Sequence, residues 1–160
     1  MNIDKLDISI LRELQGNGRI SNRDLARRVS LSPSPCWRRL QGLEKSGIVD
    51  HYAAVLDPHK VGLPILGYAH VTLHDHQSET VKKFDEAITG APQVLECHAT
   101  SGEHDYMLKV VAKDMLSYQE FLSGYLLTIG VVRTVNTSFV LKQLKNTTVL
   151  PLEQLNQQDG

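Results

Sequence analysis

The hydrophobic positions at the start of the chain repeat with the period of an α-helix. Leu6, Ile10 and Leu14 recur at i, i+4 and i+8, which predicts an amphipathic helix over residues 4–15. The segment Gln-Gly-Asn-Gly at 15–18 then supplies residues that favour a turn. The chain is therefore expected to begin with one short helix that buries a single apolar face.

Two further short helices are predicted directly after this turn. Ser21 and Asp24 form an S-x-x-D capping pattern, which predicts a helix over residues 22–29. Ser32 stands before a proline, and proline is tolerated in the first turn of a helix, so Ser32 is expected to cap a third helix that ends near Gly47. Two short helices joined by a tight turn predict a helix-turn-helix.

The third helix has two different faces. Cys36, Leu40 and Leu43 repeat on one side and are expected to be buried, with Trp37 packed at the margin. The opposite face carries hydrogen-bond donors: Ser34, Arg38, Gln41 and Lys45. Such a helix suits a DNA major groove, because its exposed side chains meet base edges and phosphates. The alternative is a purely structural three-helix bundle, which does not explain the shortage of acids on the exposed face.

Charge is distributed unevenly along the chain. The net charge is only −1, yet residues 19–39 contain a single acid, Asp24, and six arginines: Arg19, Arg23, Arg27, Arg28, Arg38 and Arg39. A local arginine excess is expected of a surface that contacts phosphates, although a solvated helical face gives the same pattern.

The remaining hundred residues change to a mixed pattern. A β-prone run at 48–56 predicts a strand or a connecting wing, followed by a hinge. Alternation then predicts strands at 65–73, 93–101, 105–112 and 131–144, and helical stripes predict helices at 79–89 and 115–127. The order βαββαβ predicts a ferredoxin-like α+β sandwich. Its two helices cover one face of the sheet, so the bare face is expected to pair with a second subunit.

These elements divide the chain into four predicted segments: a helix-turn-helix domain at 1–50, a strand and hinge at 51–63, an effector and oligomerisation domain at 64–145, and an extended or frayed tail at 146–160. Cys36 and Cys97 are far apart and suggest no disulfide framework, and no signal peptide or membrane-spanning run is recognisable. We therefore expect a cytoplasmic protein without membrane partners.

Four stretches resemble the leucine-responsive/asparagine-type (Lrp/AsnC, feast/famine) family of transcriptional regulators: LDISILRELQGNGRIS at 6–21, LSPSPCWRRLQGLEKSGIV at 31–49, ECHATSGEHDYMLKV at 96–110 and TSFVLKQLK at 137–145. Two positions depart from the family pattern. Where the family's turn reads G-D-x-D-Y, this chain has Glu103 at the second position. Where the family has L-P-G-V, this chain has Thr128-Ile129-Gly130-Val131.

The resemblance implies a winged helix-turn-helix that binds double-stranded DNA, and a C-terminal domain of the RAM/ACT-like kind. It also implies homodimers that assemble into octamers or larger discs, with amino-acid effectors bound between dimers. For the DNA contact we predict Arg23, Arg27, Arg28, Ser32, Ser34, Arg38, Arg39 and Gln41. No cofactor is expected.

The effector site is predicted at one turn. Gly102 permits backbone angles that are closed to other residues, so the amides after it could meet a carboxylate, while Asp105 offers a charge to an α-ammonium group. The resemblance implies that the other residues of the turn also belong to the effector site: Glu103, His104 and Tyr106. It further implies that the last strand of a neighbouring subunit completes the site with Thr134, Asn136 and Ser138. Tyr118, Phe121 and Leu122 favour an apolar effector such as leucine or methionine. A plain hairpin is the alternative.

Other chemistry is less well supported by the pattern. His70, His74 and His76 share a strand face without a carboxylate or cysteine at a ligand spacing, so no metal site is predicted. Cys97 is expected to lie in the core, away from its neighbours Glu96 and His98. Two other functions stay open: an architectural protein that wraps DNA without sensing, and an enzyme similar to the sirohaem decarboxylases, against which the arginine excess argues.

Overall fold

The computed structural model describes residues 3–157. The described residues form two compact units: those up to Val55 together with those from Lys145 onward, and Leu56–Leu144. In the described residues, no helix is long and apolar enough to cross a membrane.

The first unit contains the three predicted helices: α1 (Lys5–Gly16), α2 (Asn22–Arg28) and α3 (Pro33–Lys45). Ser21 caps α2, since its side chain accepts a hydrogen bond from the Asp24 amide, as the capping pattern predicted. The helices share a core in which Ile10, Leu25 and Leu43 have no measurable exposure. Burial of these apolar faces is the main force that holds three such short helices together.

Of the two alternatives predicted for residues 48–56, a strand or a connecting wing, the strand does not form. No strand forms among residues 3–55, so the wing of this unit is an extended segment without a sheet. Val55 and Leu56 in this segment are 77% and 67% exposed. A strand needs a partner for its backbone groups, and the described chain places none beside residues 48–56.

The tail, predicted to be extended or frayed, forms no regular element over residues 146–151 but becomes a short helix after them. Leu152–Gln157 form a short 3₁₀ helix, and Leu152 packs against the core of the first unit. Before this helix, the side-chain amide of Gln15 donates from Nε2 to Leu150 O at 3.2 Å, and its Oε1 accepts from Leu150 N at 2.6 Å. One side chain on α1 thus satisfies both backbone groups of Leu150, and Leu152 adds apolar contact. Residues 158–160 lie outside the described residues.

The second unit contains β1 (Ile65–Leu73), α4 (Ser78–Thr89), β2 (Val94–Ala99), β3 (Tyr106–Ala112), α5 (Met115–Phe121) and β4 (Val132–Phe139). The sheet is antiparallel with the order β2-β3-β1-β4, so the predicted βαββαβ sandwich is confirmed. Phe84, Leu108 and Leu126 are fully buried between helices and sheet.

Two predicted spans in this unit need correction. The helix expected at 115–127 is α-helical only to Phe121 and continues as a π turn over Leu122–Leu126 and a 3₁₀ turn over Leu127–Ile129. The last strand ends at Phe139 rather than near 144. β1 begins at Ile65, so its pairing with β4 runs out after the Val140 amide donates to Leu66 O at 2.9 Å.

Cys97, which was expected in the core, is at the surface on β2, and Trp37, which was expected to pack at the margin of α3, is 50% exposed. β2 is an edge strand of the sheet, so a side chain at that position is covered from one side only. Trp37 lies between the buried Cys36 and the exposed Arg38 on its helix.

Candidate nucleic-acid interface and effector site

The turn between α2 and α3 sets how the two helices of the DNA-binding motif meet. Leu31 N donates to Ala26 O at 2.8 Å, and Ser30 adopts a left-handed backbone with φ of 57°. The Asn22 side chain donates from Nδ2 to Pro33 O at 3.0 Å and so joins the first residues of both helices. Asn22 was not among the predicted residues, because its role depends on a contact eleven positions away.

Three arginines predicted to contact DNA lie on α2. Arg23, Arg27 and Arg28 are all exposed. Arg27 pairs with Asp24 at 3.0 Å and Arg28 pairs with Glu13 at 2.8 Å, yet their side chains remain 79% and 55% exposed. Exposed ion pairs contribute little free energy, so a phosphate can compete for these guanidinium groups.

On α3, Ser32, Ser34 and Arg38 are exposed, and Arg38 forms no ion pair within the described part of the chain. Ser32 is the N-cap residue, but its side chain makes no capping hydrogen bond, contrary to the prediction. An N-cap side chain binds the second or third amide of a helix, and Pro35 at the third position removes one of these two donors.

Arg39 is held within the first unit. Its Nη1 lies 2.7 Å from Asp4 Oδ2 and 2.8 Å from Asp7 Oδ1. Asp4 and Asp7 also form the capping box of α1, and the Asp7 amide, followed by Arg39, lowers the pKa of the Asp4 carboxyl. Asp7 is buried, at 3% exposure. Arg39 therefore joins α3 to the start of α1, a structural role that its neighbour Arg38 does not share.

Gln41 is tied to its own helix. Its Nε2 donates to Glu44 Oε2 at 2.7 Å, and the Tyr52 hydroxyl donates to Glu44 Oε1 at 2.8 Å. Burial, followed by the Glu44 carboxylate, raises the pKa of Tyr52 to about 12. A Cβ at Gly18 would lie 3.2 Å from Tyr52 Cδ1, so the ring packs closely against the turn between α1 and α2.

The predicted effector turn lies between β2 and β3. Gly102 has φ of 130°, a conformation that side-chain-bearing residues rarely adopt, and an added Cβ there would meet open space. Asp105 is anchored through its backbone, since its amide donates to Val71 O at 3.0 Å and its carbonyl accepts from Thr100 N at 2.9 Å. The loop is thus fixed to the end of β1.

The Asp105 carboxylate has two partners. Oδ2 accepts from the Leu73 amide at 2.8 Å, and Oδ1 lies 2.8 Å from His76 Nε2. The hydrogen bond from His76, followed by that from the Leu73 amide, lowers the pKa of the Asp105 carboxyl. The carboxylate is therefore ionised and held in place at neutral pH. His76 was considered only as a metal ligand, and its contact with a residue 29 positions away could not be found from spacing.

The other predicted effector residues are divided between the two faces of the sheet. His104 Nδ1 lies 3.3 Å from Thr72 Oγ1 on the bare face, whereas the Tyr106 ring packs against Phe84 on the helix face, with ring centroids 4.5 Å apart. Glu103 is exposed at the tip of the turn. Within one chain, therefore, His104 and Asp105 contact the adjacent residues Thr72 and Leu73 of β1, whereas Tyr106 packs into the core.

The three predicted residues of the last strand are exposed on the bare face. Thr134, Asn136 and Ser138 stand opposite Thr72, His70 and Tyr68 of β1. Tyr118 and Phe121, which were expected to favour an apolar effector, are buried in the helix–sheet core at 4% exposure each. They lie among core residues and do not form part of the turn.

Comparison with known proteins identifies both units. Residues 3–50 match the winged helix-turn-helix DNA-binding model, and residues 67–150 match the Lrp/AsnC ligand binding domain. The chain belongs to the Lrp/AsnC family. It is a DNA-binding transcriptional regulator with a ligand-binding domain, and not an enzyme.

Relatives of similar length support this assignment. The chain is 38% identical over 153 residues to the transcriptional regulator AzlB of Bacillus subtilis, covering 96% of this chain and 98% of AzlB. It is 39% identical over 151 residues to the leucine-responsive regulatory protein of Haemophilus influenzae, covering 94% and 91%. A solved transcriptional regulator of Neisseria meningitidis in complex with L-methionine has a TM-score of 0.94 at 43% identity, covering 96% of this chain and 99% of that one.

Proposed function

We propose that this regulator responds to a small amino acid, with leucine or methionine favoured, through a change in its assembly or DNA binding. The observation that carries the proposal is the fixed, ionised Asp105 carboxylate beside the open backbone at Gly102. A free amino acid presents an ammonium and a carboxylate together, and this turn offers a partner to each. A leucine-responsive relative and a relative bound to L-methionine support the choice of effectors.

For DNA we propose that Arg38 contacts base edges or adjoining phosphates, with Ser34 and Gln41 beside it. Arg23, Arg27 and Arg28 then neutralise the backbone, and Ser32 lies at the start of the same helix. The exposure of the arginines and of both serines supports this division, and Gln41 is half-buried beside them. We exclude Arg39 from the proposed contact, because both acids at the start of α1 hold it. A protein that acts on DNA in this way is expected in the cytoplasm.

For assembly we propose a homodimer through the bare sheet face, which leads to octamers or larger discs. Thr134, Asn136 and Ser138 would then complete the effector site of a neighbouring subunit. The mixed character of this face supports pairing, since Met107 and Tyr68 are half-buried there within a single chain. Two helix-turn-helix units that contact successive half-sites also require two subunits.

A thermal-shift screen with the twenty amino acids tests the effector class, because a ligand that binds only the native state raises its apparent stability. Asp105→Ala would leave the ammonium without its carboxylate, at a cost of roughly 3–5 kcal/mol in a buried pair. We expect calorimetry to show loss of L-methionine or L-leucine binding in this variant. The control is Glu120→Ala, an exposed acid on α5 in the same unit. Equal affinity in Asp105→Ala and wild type would move the site elsewhere.

The architectural function remains the second candidate, supported by the same DNA-binding surface. Gel shifts with and without the amino acid that stabilises the protein distinguish the two. A sensor changes its DNA affinity or its assembly when that amino acid is added, whereas a purely architectural protein keeps both unchanged.

A further inference from the structure

His76 covers the carboxylate on which the proposed effector site depends. The Asp105 carboxylate has two nitrogen partners. The Leu73 amide lies inside the sheet, whereas the His76 side chain lies at the surface. The Asp105 side chain is 20% exposed, while the His76 side chain is 70% exposed. An approaching ammonium group therefore meets His76 first.

The backbone around His76 is held on both sides. His74 N donates to Val131 O at 2.9 Å, and Gln77 N donates to Asp75 Oδ1 at 3.0 Å. The first bond ties the loop between β1 and α4 to the residue before β4, and the second lies within the loop, so only the imidazole of His76 needs to rotate to uncover Asp105. An exposed side chain changes rotamer with little cost.

We propose that His76 is a latch on the effector site. It occupies the Asp105 oxygen that the α-ammonium group of an amino acid requires, and it leaves that oxygen when the amino acid binds. The inference rests on the proposed effector site and adds a competitor that sets its affinity. His76 is a positioning residue here: it controls whether Asp105 is available and does not itself hold the effector.

The competition between His76 and the effector for Asp105 is expected to depend on pH. A protonated imidazole adds a charge attraction to its hydrogen bond with the Asp105 carboxylate, so it is harder to displace than a neutral one. Effector affinity should therefore be lower in acid than at neutral pH while His76 is present. The other titratable or charged groups on the surrounding elements are His74 and Asp75 on the same loop, Glu79 on α4, Glu103 and His104 on the turn, and Arg133 on β4.

Calorimetry of the full chain with L-methionine, and separately with L-leucine, tests the latch at pH 5.5, 6.5 and 7.5. We expect His76→Ala to bind more tightly than wild type at pH 5.5, on the order of two- to fivefold, the scale of an exposed ion pair. The wild-type affinity should rise with pH, and the His76→Ala affinity should not. His76→Gln keeps a neutral donor, so its effector affinity should also be independent of pH. That affinity should lie between those of wild type and His76→Ala.

The matched control is His74→Ala, which removes a neighbouring histidine of the same loop whose backbone makes the anchoring contact. It should keep the wild-type pH profile. Unchanged or weaker binding in His76→Ala, with binding still lost in Asp105→Ala, would overturn the latch and leave the effector site intact. If Asp105→Ala binds as wild type does, or if wild type binds neither amino acid, both the site and the latch are overturned.

Discussion

Tyr52 donates its hydroxyl hydrogen to Glu44 Oε1 over 2.8 Å and so connects the segment that follows α3 back to that helix. The same carboxylate accepts from Gln41, which lies on the face proposed to meet DNA. One acid therefore positions a side chain of the DNA-binding helix and holds the chain where it leaves the helical core. The contact spans only eight residues, yet no local pattern predicts it.

Tyr52→Phe removes this hydroxyl and keeps the ring against Gly18. The raised pKa of Tyr52, about 12 against an ordinary 10, means that the folded protein holds this proton more tightly than the unfolded chain does. The stabilisation is complete below pH 10 and is lost as the pH rises through 12. Denaturant unfolding at pH 9 and pH 11 should show a smaller loss in Tyr52→Phe than in wild type. Equal losses would contradict the assignment.

Arg38 and Arg39 are adjacent but should respond differently to alanine. Arg38→Ala is expected to fold normally and to lose roughly 1–3 kcal/mol of discrimination between operator and unrelated DNA, the worth of a bidentate base contact. Arg39→Ala leaves the buried Asp7 without its cation and should lower the free energy of unfolding by about 1–2 kcal/mol.

Gel shifts over a range of salt concentrations and thermal melting of both variants separate the two effects. Lys5→Ala, at an exposed position on α1, is the control for the loss of one positive charge. Unchanged operator affinity in Arg38→Ala would remove that residue from the interface, and binding that is independent of salt would argue against phosphate contact altogether.

A single charged substitution on the bare face of the sheet tests whether that face forms the dimer interface. Met107 stands opposite His70 in the centre of that face. In a dimer joined there, Met107→Glu would bury an unpaired carboxylate, which is strongly unfavourable. We expect light scattering to give a mass near the 17.9 kDa of one chain for this variant and at least twice that for wild type. Lys82→Glu, on α4 at the other face, should assemble as wild type does; a monomeric wild type at micromolar concentration would refute the dimer.

The tail is predicted to stabilise the first unit. Leu152 packs against the helical core, so Leu152→Ala should lower the free energy of unfolding by about 1–2 kcal/mol through lost apolar burial. Leu144→Ala is the matched control, since that leucine is 84% exposed. Urea unfolding followed by the fluorescence of Trp37, which lies in the same unit, measures both. No change in Leu152→Ala would mean that the tail contributes no stability.

Periodicity alone determined where the helices and most strands lie. The i, i+4, i+8 repeat of Leu6, Ile10 and Leu14 and the Ser21–Asp24 cap act within one helical turn, so a short window of residues contains all the information they require. The order βαββαβ follows in the same way, and with it the bare sheet face. Gly102 was recognisable as a turn residue because its positive φ depends on its own lack of a side chain.

Tertiary structure decided everything that depends on a partner distant in the chain. Residues 48–56 have strand-forming side chains but no neighbouring strand. The tail from 146 has a polar sequence, and its contacts with Gln15 and the helical core are visible only in the structure. Arg38 and Arg39 are the same residue type at successive positions, and only the location of Asp4 and Asp7 separates their roles. His76 reaches Asp105 for the same reason: hydrogen bonds and ion pairs act over a few ångströms in space, whatever the distance along the sequence.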